Sequence, residues 1–136
     1  MRLVQLGQKQ WTVLAVLDNR GDCPVLDLLQ SEGDPGDRLL ADLKETIPER
    51  GPLRNTEASK PLRDKILELR EPTSHGGTLR VLYFYDAGHV IVCVNACLKK
   101  TNKTPDDLID AAVALRAAYF EAKEQGRLRI EDLPEN

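Results

Sequence analysis

Two apolar runs in the middle of the chain, Leu79 to Tyr85 and His89 to Leu98, are separated only by Asp86-Ala87-Gly88. A three-residue connection with glycine where a left-handed backbone is wanted makes the pair a β-hairpin, so the fold contains a sheet. Just upstream, Ile66-Leu-Glu-Leu-Arg70 repeats with period two. That places Glu68 and Arg70 on one face and Leu67 and Leu69 on the other, which predicts a further antiparallel strand. Trp11 to Leu17, rich in β-branched and apolar residues and stopped by Asp18-Asn-Arg-Gly21, predicts a fourth.

Between the first strand and the others the period is helical. Asp22 is placed to cap a short helix with Pro24 in its first turn, Val25, Leu28 and Leu29 inward and Gly33 as its stop. A second helix starts at Asp34-Pro35 or Asp37, carries the stripe Leu39, Leu40, Leu43 and Ile47, and ends at Pro48 and Gly51. Pro52 to Ser59 is a polar stretch. Thr104-Pro105-Asp106-Asp107 reads as a helix start, with a capping hydroxyl, proline at the first position and acids facing the positive end of the dipole. Leu108, Ala112, Leu115, Tyr119 and Ala122 then share a face, and Gly126 is the stop. The expectation is α+β: a small twisted, mainly antiparallel sheet of about four strands, two N-terminal helices and a C-terminal helix. The 136 residues suit one domain over 1–126, with 127–136 as a tail that is frayed or bound to a partner.

No run approaches the roughly 18 apolar residues of a membrane helix, and Met1–Gln10 lacks signal-peptide character, so the expectation is a cytoplasmic protein with no membrane partner. Cys23, Cys93 and Cys97 are odd in number and fit no zinc spacing; reduced thiols are expected, with no metal and no cofactor. Nucleophile elbow, phosphate loop, zincin helix and paired carboxylates are all missing, which removes most common enzyme classes.

Charge is unevenly spread. The whole chain carries a net -3, yet Lys60 to Lys103 holds eight cations against four anions, a local +4 that leaves -7 for the remainder. Screening beyond about 8–10 Å lets such a segment hold a phosphate chain within an acidic molecule. The cations stand where the chain changes direction: Lys60, Arg70, Arg80, then Lys99, Lys100 and Lys103. Clustered cations bind phosphate, and they can lower the pKa of a neighbouring lysine enough for it to act as a base. His75, in a glycine loop, and His89, beside the hairpin turn, are the alternative acid or base; Tyr83 and Tyr85 alternate with Leu79 and Val81 and are read as core before base-stacking residues.

Lys60-Pro-Leu-Arg-Asp-Lys-Ile-Leu-Glu-Leu-Arg70, Leu79-Arg-Val-Leu-Tyr-Phe84 and Leu98-Lys-Lys-Thr-Asn-Lys-Thr-Pro105 occur in that order at suitable spacing. Together they resemble the successive motifs of the phage-derived HigB-like branch of RelE toxins, over about residues 10 to 120. The resemblance implies a RelE-like sheet with helices against one face, and a toxin of a type II toxin–antitoxin system: a metal-independent endoribonuclease cutting mRNA on the ribosome until a HigA-like helix-turn-helix antitoxin covers its site. It implies that Arg70 holds the scissile phosphate, that Lys60 is the base and that Lys99 or Lys100 is the cation after the last strand, while Arg80 is similar to the arginine of the family's Tyr-Arg strand motif; Lys60, Arg70 and Lys100 are the catalytic candidates, and Arg63, Arg80, Lys99 and Lys103 the candidate substrate contacts. Leu79 replaces the family's usual tyrosine, and Pro105-Asp106 stands where RelE carries a late tyrosine. A ParE-like inhibitor of DNA gyrase and an inactive phage remnant share the same scaffold and are the competing expectations.

Overall fold

The computed structural model describes residues 1–52 and 59–134. Seven strands form one sheet: β1 (Arg2–Gln8), β2 (Thr12–Val16), β3 (Ser59–Pro61), β4 (Leu67–Pro72), β5 (Thr78–Asp86), β6 (Val90–Lys99) and β7 (Arg129–Asp132). Their spatial order is β3-β4-β5-β6-β2-β1-β7. Helices α1 (Pro24–Ser31), α2 (Gly33–Ala41), α3 (Ile47–Arg50) and α4 (Asp106–Glu124) complete the fold.

The α+β class and the four expected strands are present, but the sheet is larger and mixed. Strands β1, β3 and β7 were not expected. Parallel pairing joins β2 to β6 and β1 to β7, while the other neighbours are antiparallel. The helices also differ from the expectation of a single covered face. Helices α1 and α2 and the turn that follows pack Val25, Leu29, Leu39 and Leu43 on the face of Val13, Val81, Tyr83 and Ile91, joined by Ile47 of α3. Helix α4 lies on the opposite face, packing Ile109, Ala112 and Tyr119 against Leu14, Leu82, Phe84 and Val92. A sheet covered on both sides needs apolar residues on both, which is why β5 and β6 read as continuous apolar runs. The polar stretch expected over 52–59 falls mostly outside the described residues.

The second expected helix is interrupted. Between α2 and α3, Asp42–Thr46 forms a π-helical turn. Pro48 has no N–H to give the carbonyl four residues back, that of Lys44, and widening the turn accommodates this loss. The Lys44 carbonyl faces Gly7 of β1, where a β-carbon would stand 2.5 Å from it, so glycine is required there.

At the other end of the sheet, α4 is fastened to the β5–β6 turn. Tyr119 donates its hydroxyl to Asp86 at 2.7 Å, and the Lys123 ammonium approaches the same carboxylate at 2.8 Å. Burial pushes the Asp86 carboxyl up, but hydrogen bonds from Lys123, Tyr119 and the Ala87 N–H outweigh it and hold the group below the usual carboxylate range. Among the described residues no helix is long and apolar enough to cross a membrane.

Candidate functional site

Helix α4 covers only part of its face of the sheet. Beyond its first turn, the side chains pointing the same way from β4 and β5 are polar. Glu68 and Arg70 share this face, as the period-two pattern requires, and Arg70 stands directly opposite Arg80 in the ladder. Like charges side by side in a sheet repel. The clash is resolved by the loop that follows β6. Arg80 is fully buried, and its Nη1 donates to the Thr104 hydroxyl at 2.7 Å and to the Asn102 carbonyl at 3.2 Å, while Nη2 donates to the Thr101 carbonyl. The Thr104 hydroxyl in turn donates to Glu68, itself 3% exposed. Glu68 then faces Arg70, with Oε1 3.6 Å from Nε. A continuous chain of polar contacts thus runs from Arg80 through Thr104 and Glu68 to Arg70.

Above this chain lies an open cleft of about 480 Å³, lined in part by Lys60, Arg63, Glu68, Arg70, Lys103 and Thr104. Lys60 comes from edge strand β3 and sits opposite Glu68 in the ladder. Among the described residues it has no carboxylate partner within salt-bridge distance. Arg63 is held by Asp64 and Asp110, and Lys103 lies 3.7 Å from Asp106. The cleft therefore gathers four cations, of which Arg63, Arg70 and Lys103 face carboxylates, around the buried Glu68 and the exposed Asp106, and cations so gathered are the kind of groups that bind phosphate.

Four of the expected site residues, Lys60, Arg63, Arg70 and Lys103, meet at this cleft. Arg80 lies beneath it, with its bonds directed at protein atoms rather than at the opening. Lys99 ends β6 opposite Thr78, on the same sheet face as Arg80 but beyond it. Lys100 lines a different cleft with His75, Glu32 and Leu98. His89 is stacked on Trp11, ring centres 4.4 Å apart, far along the sheet from Arg70. Tyr83 is fully buried. The three cysteines are free thiols, and burial raises the pKa of each.

Two participants escaped the sequence reading. Thr104 reads as a helix cap, yet the cap of α4 is Pro105, with no side-chain bond, and the Thr104 hydroxyl serves Arg80 and Glu68 instead. Glu68 reads only as a neighbour of Arg70. Alternation puts it on the polar face of the strand, and only the covering of that face shows that the carboxylate is buried and needs an internal partner. Among the described residues no cluster of metal-binding side chains occurs.

No curated protein matches the chain. The family described as Phage derived protein Gp49-like (DUF891) matches residues 27–117, a span that includes every residue of the polar chain and the whole of β3 to β6. The protein belongs to this Gp49-like phage-derived family, within the RelE/HigB toxin-like superfamily.

Proposed function

We propose that the protein is the toxin of a type II toxin–antitoxin system, of the HigB-like branch, and a metal-independent endoribonuclease acting on ribosome-bound mRNA. The observation that carries the reading is the convergence of Lys60, Arg63, Arg70 and Lys103 on one cleft over a buried Glu68. Such an enzyme has to remove the proton from a ribose 2′-OH, stabilise the charge added to the adjacent phosphate as the O2′–P bond forms, and protonate the 5′ oxygen as its bond to phosphorus breaks. Lys60 takes the proton, Arg70 holds two phosphate oxygens in its planar fork, and Lys103 at the cleft wall supplies the proton to the leaving oxygen. Arg80 acts as a positioning residue that fixes the loop bearing Lys103. Lys99 and Lys100, outside the cleft, contact flanking phosphates or ribosomal RNA. The cleft is built from residues between Lys60 and Ile109, and the tail expected over 127–136 contributes β7 to the opposite edge of the same sheet, with Arg2 bonded to Glu131.

The antitoxin that accompanies toxins of this superfamily is here a HigA-like helix-turn-helix protein, and the locally basic segment suits an acidic surface on it. The net negative charge disfavours free RNA and makes the ribosome the agent that positions substrate. Purified protein is expected to cut mRNA on translating ribosomes and to spare the same mRNA alone. Equal cutting of both removes the ribosome from the reading; cutting of neither favours a gyrase-type binder or an inert remnant.

A further inference from the structure

Strand β7 ends the sheet at the edge farthest from β3 and the cleft, paired on one side with β1. The Arg129 N–H donates to the Met1 carbonyl at 2.9 Å. In the parallel register of Arg2 with Arg129 and Val4 with Glu131, residues 129 and 131 therefore turn both backbone groups towards β1. Ile130 and Asp132 alternate with them and turn their N–H and C=O outward, away from the sheet. An edge of this kind accepts a further strand unless something blocks it. No proline stands between Arg129 and Asp132, and Pro134 lies beyond the strand. Arg129, Ile130 and Asp132 are exposed, and Ile130, at 53%, is the most exposed large apolar side chain among the described residues.

Charges on an edge repel most incoming strands, but here their order is self-complementary. Arg129 and Glu131 flank Ile130 on the face of α1 to α3, since they pair with Arg2 and Val4, while Ile130 pairs with Leu3 and shares the face of α4. Glu131 is already held by Arg2, whose Nε lies 2.7 Å away. Arg129 has no carboxylate within salt-bridge distance among the described residues.

We propose that the β7 edge is an interface with a second copy of this chain, the two β7 strands pairing antiparallel about a two-fold axis through Ile130. Neighbours across an antiparallel ladder must point to the same face, so odd residues meet odd and even meet even. With Ile130 at the centre, its outward N–H and C=O exchange two hydrogen bonds with Ile130 of the second copy, and the two exposed side chains lie side by side. The same register sets Arg129 against Glu131 of the second copy, twice by symmetry, which gives the free guanidinium its partner. The sheet becomes continuous across the axis. Both clefts lie at its outer ends and stay open. So short an edge makes a weak dimer, with a Kd on the order of 10 µM.

Sedimentation velocity on the full-length protein, from about 1 to 200 µM, is expected to show a dimer fraction that rises with concentration and falls with added salt. Ile130→Pro removes an N–H that β1 does not use, so it should weaken the dimer by about tenfold or more at an unchanged melting temperature. Arg129→Glu and Glu131→Arg each set like charges across the axis and should each weaken it by a similar factor, whereas an equal mixture of the two variants restores opposite charges at both positions and should form a heterodimer. A protein that stays monomeric throughout the range overturns the proposal, as does a dimer indifferent to Ile130→Pro or a mixture that fails to associate. A monomer that loses antitoxin binding in Ile130→Pro would assign the edge to a strand of the antitoxin, and likewise overturns the pairing of two copies.

Discussion

The face of the sheet beneath α4 is two surfaces meeting along one line. Towards the hairpin turn, Leu82, Phe84 and Val92 are packed by Ala112 and Tyr119. Two residues along the same strand, Arg80 replaces the apolar series, and the helix gives way to the loop of Thr101 to Thr104. Arg80 and Leu82 belong to one strand, β5, whose pairing with β6 shifts register only beyond them, between Leu82 and Tyr83. What differs is the cover. A helix satisfies its own backbone and offers only side chains to the sheet, whereas a loop has free carbonyls that a buried guanidinium can use. The buried polar chain and the cleft above it sit where the covering element stops being helical.

Substitutions on either side of the line should therefore separate stability from activity. Phe84→Ala removes a fully buried ring that packs on Tyr119 at 5.2 Å, and a loss of about 3–5 kcal/mol is expected in chemical denaturation, with the specific activity of the folded fraction unchanged. Across the line, Arg70→Ala should lower single-turnover cleavage by about 100-fold or more, equivalent to roughly 3 kcal/mol in the transition state, with the melting temperature little altered; Arg70→Lys recovers part of the rate. A stable and fully active Arg70→Ala protein would remove Arg70 from the site. Thr104→Val lies on the line itself. It leaves Arg80 short of one acceptor and Glu68 short of one donor, so a stability loss of about 1–3 kcal/mol is expected together with a fall in cleavage rate, and a variant that loses only one of the two would show that the polar chain does not support the cleft.

The smallest effect belongs to the far apolar end. Because the Asp86 carboxyl is held below its ordinary value of 3.8, its contribution to stability is present above that value and fades as the pH falls through its value in the folded protein. Lys123→Met should flatten the acid limb of a stability–pH curve below about pH 4, and cost a few tenths of a kcal/mol to about 1 kcal/mol at neutral pH, since the lysine is 46% exposed. An unchanged acid limb would mean that Tyr119 and the Ala87 N–H suffice.

Sequence periodicity reached the elements that bury a large surface and missed those held by edges. The strands β2, β4, β5 and β6 and the helices α1, α2 and α4 all follow from apolar spacing and turn residues. Strand β1 escapes because Leu3 faces α4, Val4 and Leu6 face the other helices, and a bulge between Gln5 and Gly7 breaks its alternation. Strand β7 is four residues long, with Ile130 half exposed, and exists because β1 offers it an edge. Lys60, Arg70 and Lys103 are legible as cations at points where the chain turns. Their separation from Lys100 is not, because the cleft to which a loop residue goes depends on how the loop is anchored to Arg80, which no local pattern records. The same holds for Thr104, whose two possible roles have one sequence signature.

Arg80 also imposes an order on the making of the molecule. Translation delivers it some twenty residues before Thr101, Asn102 and Thr104, the groups that accept its hydrogen bonds. A nascent chain that has exposed β4 and β5 alone carries two adjacent guanidiniums and no acceptor for the buried one, so the strands cannot settle into their final neighbourhood. The cleft closes only when the loop after β6 has emerged, with α4 close behind. A chain that stops before that loop has no acceptor for the buried guanidinium, and the floor of the cleft is complete only once Thr101 to Thr104 have been made.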